Sequence, residues 1–163
     1  MAYLKKMESI LDFEDFYCVK SDPSAVLWSG FSSAPNRENL KSWFMKLIQD
    51  RSSWIYLLYD ENVPSVIGYG KFTLKGEGEA EYEGISILSM YQGKGYSKLL
   101  TSLIVKEMMN LNICKISGWI SEYNIPSIKS VEANQFCKKD EHKLIWLDGF
   151  KREDRFDLYE RVI

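Results

Sequence analysis

Gln92-Gly93-Lys94-Gly95-Tyr96-Ser97 is the stretch on which the fold of this chain turns. It follows an apolar run at residues 80–88 and precedes a segment in which Leu99, Leu100, Leu103, Ile104 and Met108 share one helical face. A glycine-rich turn opening a helix is a physical solution to binding phosphate, because the first helical N–H groups are unpaired, point outward and sit at the positive end of the helix dipole. Gly93 and Gly95 let a phosphate approach the backbone with no Cβ in the way. Lys94 and Lys98 add positive charge beside it. The same turn can also serve tight packing alone. Two familiar phosphate motifs are absent: no G-x-x-x-x-G-K-[ST] occurs, and Lys98 stands where Rossmann spacing needs a third small residue.

Outward from the turn, residues 113–120 read as a strand, so the unit is strand, turn, helix, strand, a crossover that joins parallel neighbours. Upstream, residues 54–59, 65–74 and 80–88 read as an antiparallel meander, broken at Asp60-Glu61-Asn62 and Lys75-Gly76-Glu77-Gly78. Downstream, a helix over 126–134 and strands at 143–147 and 156–162 close the order. Toward the N-terminus, residues 16–20 read as a first strand and Asp22-Pro23-Ser24 as a helix start. A second helix, from about Asn36, carries Leu40, Trp43, Phe44, Leu47 and Ile48, with Trp43 and Phe44 expected in the core. Cys18 and Cys114 fit buried strand positions. The fold class is α/β, a mixed and mostly antiparallel sheet with helices on both faces.

With 163 residues, 45% hydrophobic, the chain can bury one good core, and no repeat or linker divides it. A single domain over 1–163 is expected. Lys and Arg number 21 against 23 Asp and Glu, giving a net charge of −2 and no global attraction to nucleic acid or an anionic membrane. No signal core or bilayer-length apolar run is present. Cys18, Cys114 and Cys137 are odd in number and make no C-x-x-C spacing, which argues against a disulfide framework or a metal site and for a reducing cytoplasm. His142, the one histidine, sits in a polar stretch without a partner at ligand spacing.

Residues 92–97 resemble the acetyl-CoA signature of the GNAT superfamily, Gln/Arg-x-x-Gly-x-Gly/Ala, with only Ser97 departing. Ile85-x-Ile87 resembles the apolar strand that runs beside the cofactor in that family. Asn124-Ile-Pro-Ser127-Ile128-Lys-Ser-Val131-Glu132-Ala-Asn134-Gln135-Phe136 resembles its second motif, Asn-x-x-Ala/Ser-Ile followed by Glu-x-Asn-Gly-Phe. The resemblance covers residues 79–136 well and the first half through element order only. It implies the GNAT fold, with parallel strands splayed around acetyl-CoA and the pyrophosphate held by Gln92, Gly93, Lys94, Gly95, Tyr96 and Ser97. Ile85, Ile87, Leu88, Asn124 and Ser127 become further cofactor contacts. An amine acceptor attacks the thioester directly, and a backbone N–H near Ile87 or Leu88 stabilises the oxyanion. The usual acid, a Tyr seven positions after the motif Asn, is replaced by Val131, leaving Tyr123, Ser127 and Ser130 as nearby hydroxyls.

A protonated amine cannot attack until it loses a proton, and Glu81 and Glu83, on one face of the strand entering the turn, are the candidate bases. Glu81 comes first, since it resembles the catalytic glutamate of the family's histone-acetylating branch, and Glu83 is close enough to substitute or to attract a cationic acceptor. Their alternation with Glu77 and Glu79 fits equally a solvated strand face. Trp28 and Phe31, in the irregular stretch between the first two helices, and Trp119 are candidate acceptor contacts or core residues. The activity expected is an N-acetyltransferase whose acceptor is a peptide N-terminus, an aminoglycoside or a small metabolite amine, in a monomer or homodimer with no metal. The alternatives are a non-catalytic acyl-CoA-binding regulatory domain and a structural domain whose turn serves only packing.

Overall fold

The computed structural model describes all 163 residues. Seven strands form one sheet: β1 Ala2–Lys6, β2 Ser53–Asp60, β3 Gly68–Gly76, β4 Glu79–Ile87, β5 Lys115–Ser121, β6 Cys137–Leu147 and β7 Arg152–Val162. Their order is β1-β2-β3-β4-β5-β7-β6, antiparallel at every junction except β4–β5. The helices are α1 Phe13–Lys20, α2 Pro23–Trp28, α3 Arg37–Leu47, α4 Tyr96–Asn110 and α5 Ile125–Glu132. None is long and apolar enough to cross a membrane.

Helix α4 lies on one face, with Leu100, Ile104 and Met108, spaced four apart, fully buried. Ile104 Cδ1 comes so near β3 that a Cβ on Gly70 would collide with it, so only glycine lets helix and sheet approach there. The preceding residue of β3, Tyr69, meets Phe16 of α1 edge-on across the opposite face, and Phe13 and Phe44 complete that layer. Adjacent strand residues on opposite faces thus tie helices to both sides.

Residues 16–20, expected as a strand, belong to α1, and the first strand is Ala2–Lys6. Phe13, Phe16 and Val19 recur at a three-residue interval and are all buried, a helical stripe that a five-residue window cannot separate from a strand. A capping box of Ser9 and Asp12 starts the preceding turn, and Glu14, Asp15 and Lys20 suit the ends of the helix dipole. Three helices rather than two therefore precede residue 50. Phe44 is core as expected, but Trp43 is 41% exposed. It flanks the buried stripe of Leu40, Phe44 and Leu47 and stacks on Phe16. Leu99 lies at the edge of the α4 stripe and is likewise exposed. Cys18 and Cys114 are exposed rather than buried, Cys18 on the outer side of α1 and Cys114 just ahead of β5.

Candidate active site

Strands β4 and β5 pair only from Glu79–Lys115 to Glu81–Ser117 and then separate. The register of β3 against β4 shows the accompanying distortion. Lys71 pairs with Gly84 and Phe72 with Tyr82, which leaves Glu83 as an extra, bulged residue. A bulge bends its strand and increases its twist, which suits a strand leaving its neighbour. Between the parted strands lies a cavity of about 520 Å³. It brings together Glu83, Ile85, Trp119, Asn124, Ser127, Trp28 and Phe31, all singled out in the sequence. Val131 also lines it, in place of the family's tyrosine. Glu81, Ile87, Leu88 and residues 92–97 lie outside the lining.

At the end of β4 the amides divide by direction. The Leu88 N–H donates to the Ile67 carbonyl at 2.9 Å and is therefore spent on the sheet. Successive strand amides point to opposite edges, so that of Ile87 faces the edge that β5 has left. Of the two expected oxyanion donors, Ile87 alone has a free direction. The chain then makes a short 3₁₀ turn at Ser89–Tyr91 and enters α4 through Gly93 and Gly95, whose φ values of 73° and 84° favour glycine. No protein atom lies within 4 Å of a Cβ built at either position, so the space outside the turn is open. No side chain caps α4, and its first intrahelical bond runs from Leu99 to the Gly95 carbonyl, leaving the amides of Tyr96, Ser97 and Lys98 directed outward. These features fit a pyrophosphate. The Gln92 side chain does not join them: its Nε2 donates to the Ile87 carbonyl at 3.0 Å and ties turn to strand. Lys94 lies over the Tyr91 ring, and Tyr96 meets the same ring edge-on.

Glu81 and Glu83 share a face, since Lys75 reaches both, at 3.0 and 3.8 Å. Lys71 makes the closer pair with Glu83. Its hydrogen bond to Glu81, and the negative charge there, raise Lys75 above the ordinary lysine value. Neither lysine was singled out in the sequence, although the hairpin turn at residues 75–78 predicts that Lys71 and Lys75 oppose the acidic row. On the far wall, Asn124 Oδ1 accepts from the Ser127 N–H at 3.4 Å and caps α5. Just before it, Ser121 Oγ accepts from the Tyr123 N–H and donates to Asp154 at 2.7 Å. After α5, Gln135 holds φ 66° where the family motif has glycine. Sequence reasoning missed Lys20, Tyr69, Tyr82, Tyr159 and Trp146, which also line the cavity. They come from five elements with no local signature. Burial pushes the phenols of Tyr82 and Tyr159 up, so both remain protonated at neutral pH.

A splayed parallel pair around a cavity, with a glycine-rich helix entry beside it, is the arrangement that the sequence resemblance implies. The model of the acetyltransferase (GNAT) family matches residues 13–135, and the chain belongs to that family. Among solved structures, spermidine N-acetyltransferase from Vibrio cholerae, in complex with CoA and spermine, superposes with a TM-score of 0.85 at 17% identity, over 99% of this chain and 95% of that one. Ribosomal-protein-alanine N-acetyltransferase from Brucella melitensis gives 0.79 at 15% identity, over 99% of both chains. At such identities the likeness is one of fold. No curated protein matches the chain.

Proposed function

We propose that this protein is an N-acetyltransferase that moves the acetyl group of acetyl-CoA to a primary amine by direct attack. The observation that carries the reading is the parting of β4 and β5 beside the entry of α4, which leaves a strand edge, a cavity and outward-facing helical amides on one side of the sheet. Bound acetyl-CoA supplies an activated thioester carbonyl. In this reading the amides of residues 93–98, with Lys94 and Lys98, hold its pyrophosphate, and Ile85, Asn124 and Ser127 flank its pantetheine arm. The Ile87 N–H stabilises the oxyanion. The amine nitrogen bonds to the carbonyl carbon, the C–S bond breaks, one amine proton leaves through the base, and the thiolate takes a proton.

Glu83 is the better candidate base because it lines the cavity and Glu81 does not. It acts directly or through water, sharing its oxygens with Lys71. The relatives named above acetylate a polyamine and a protein alanine, so a small amine and a peptide N-terminus are both acceptor classes for this chain to be tested on. Release of CoA thiol from acetyl-CoA with a panel of amines, alongside calorimetry with CoA, tests the reading. Turnover with at least one amine is expected; a protein that releases no CoA with any amine overturns the proposal, and one that binds CoA without turnover is the non-catalytic acyl-CoA-binding domain instead.

A further inference from the structure

Next to the cavity between β4 and β5 lies a second one of about 330 Å³, lined from α1, α2 and its exit, and α3. Lys20, Ser29 and Phe31 line both, so the two adjoin at these side chains. The second is apolar, walled by Phe31, Trp43, Val26, Leu40 and Pro35. Its volume suits the side chain of a small ligand.

Charge along the two cavities is sparse. Glu83 is the one carboxylate among the lining residues, and Lys71 and Lys75 already pair with it. Lys20 is the one cation. It makes no ion pair: its Nζ contacts the Tyr69 hydroxyl at 3.3 Å and lies over that ring, and neither neutralises it. The Tyr69 hydroxyl in turn stands 2.8 Å from where a Cβ on Gly84 would lie, so the ammonium sits beside the bulge of β4, next to Glu83. A polycationic acceptor would meet an unneutralised lysine here and no free acid. An anionic group would meet a partner.

We infer that the acceptor is a free α-amino acid with an apolar side chain, its carboxylate held by Lys20 and its side chain seated between Phe31 and Trp43. One carbon separates amine from carboxylate in such a molecule, so an anchor beside the bulge also brings the amine to the β4 edge. The inference rests on the acetyl-transfer reading. The reaction on this acceptor forms an N–C amide bond and breaks the thioester C–S bond; one amine proton departs through the base, and the CoA thiolate is protonated.

The test compares L-phenylalanine and L-leucine with 2-phenylethylamine, which lacks the carboxylate, L-phenylalaninamide, which lacks its charge, and spermidine. CoA release should favour L-phenylalanine over 2-phenylethylamine by about 10–100-fold in kcat/KM, the value of one charge-assisted contact. Lys20→Met should abolish that preference and Lys20→Arg should retain it. Phe31→Ala, at a position 61% exposed and so safe for folding, should raise KM for L-phenylalanine. Turnover of spermidine or 2-phenylethylamine in preference to L-phenylalanine overturns this inference and leaves the acetyl-transfer reading standing. If no amine turns over, that reading fails instead, and calorimetry of L-phenylalanine against the protein with CoA decides the site: binding lost in Lys20→Met upholds it, and no binding overturns it.

Discussion

The two ends of the candidate site, the glycine turn beside the cavity and the cavity itself, are built from different material. The proposed pyrophosphate end is mainly backbone: two glycines at positive φ and uncapped helical amides, with an Ile87 N–H freed by a departing strand close by. The proposed acceptor end is side chains, drawn from α1, α2, α3 and β6 and brought together only by folding. Backbone sites need few particular residues, but those few are glycines and they sit in one short run. Side-chain sites leave no such run. On the proposed reading, the first serves a cofactor shared across a family, and the second can change with each acceptor.

The largest effect that can break this comparison is Gly95→Asp. Gly95 has φ 84°, which an aspartate adopts at a cost, and the new carboxylate would face a bound pyrophosphate. CoA affinity should fall beyond the range of calorimetry. A circular-dichroism melt must show the variant folded. Native CoA affinity in a folded variant would mean that the pyrophosphate end is not this backbone turn.

Glu83→Gln is smaller in reach and tests the boundary between the two ends. It keeps the side chain's shape and removes its charge, so kcat should fall about 10²–10⁴-fold, the contribution of a positioned base, while CoA affinity stays near native. Glu81→Gln should do much less, because Glu81 stands outside the cavity lining. Reversal of that order would return the base to Glu81. Near-native rates in both single variants and in the double variant would reduce the pair to partners of Lys71 and Lys75.

What the sequence made legible follows the same division. Residues 79–136 carry both motifs and the crossover, because a glycine at a fixed offset and an apolar stripe at 3.6 residues per turn are local facts. Ile85, Asn124 and Ser127, picked out by motif, line the cavity. Gln92 carries a motif position, yet its side chain serves the strand, which spacing cannot reveal. The misreading of residues 16–20 hid the helix that carries Lys20, and with it the one cation lining the cleft. Lys71 was recoverable, since antiparallel pairing across the turn at 75–78 sets it against the acidic row. Trp146 and Tyr159, on the closing hairpin, were not, since their place depends on β7 inserting between β5 and β6.

The smallest effect concerns what holds the far wall in place. Asp154 is fully inaccessible, accepts from Ser121 at 2.7 Å and pairs with Arg152 at 2.6 Å, and Ser121 in turn fixes the loop that leads to Asn124. Burial alone would push the Asp154 carboxyl up, but the hydrogen bonds from Arg152 and Ser121 outweigh it and hold the group below its ordinary value. A carboxyl depressed in the folded state contributes stability that is complete above its unfolded value, about pH 4, and is lost as pH falls through the folded value. Asp154→Asn should therefore cost stability at neutral pH. Arg152 is 42% exposed, which screens its share, so we expect about 1 kcal/mol, or a Tm lower by about 2–4 °C. The gap between wild type and variant should close on acidification below about pH 4, because the wild-type carboxyl then loses its charge as well. Melts carried from about pH 7 down to the lowest pH at which the wild type still folds read this directly. A gap that stayed constant across that range would show that the substituted amide fails through shape or hydrogen-bond polarity, and that the charge of Asp154 does not hold the wall.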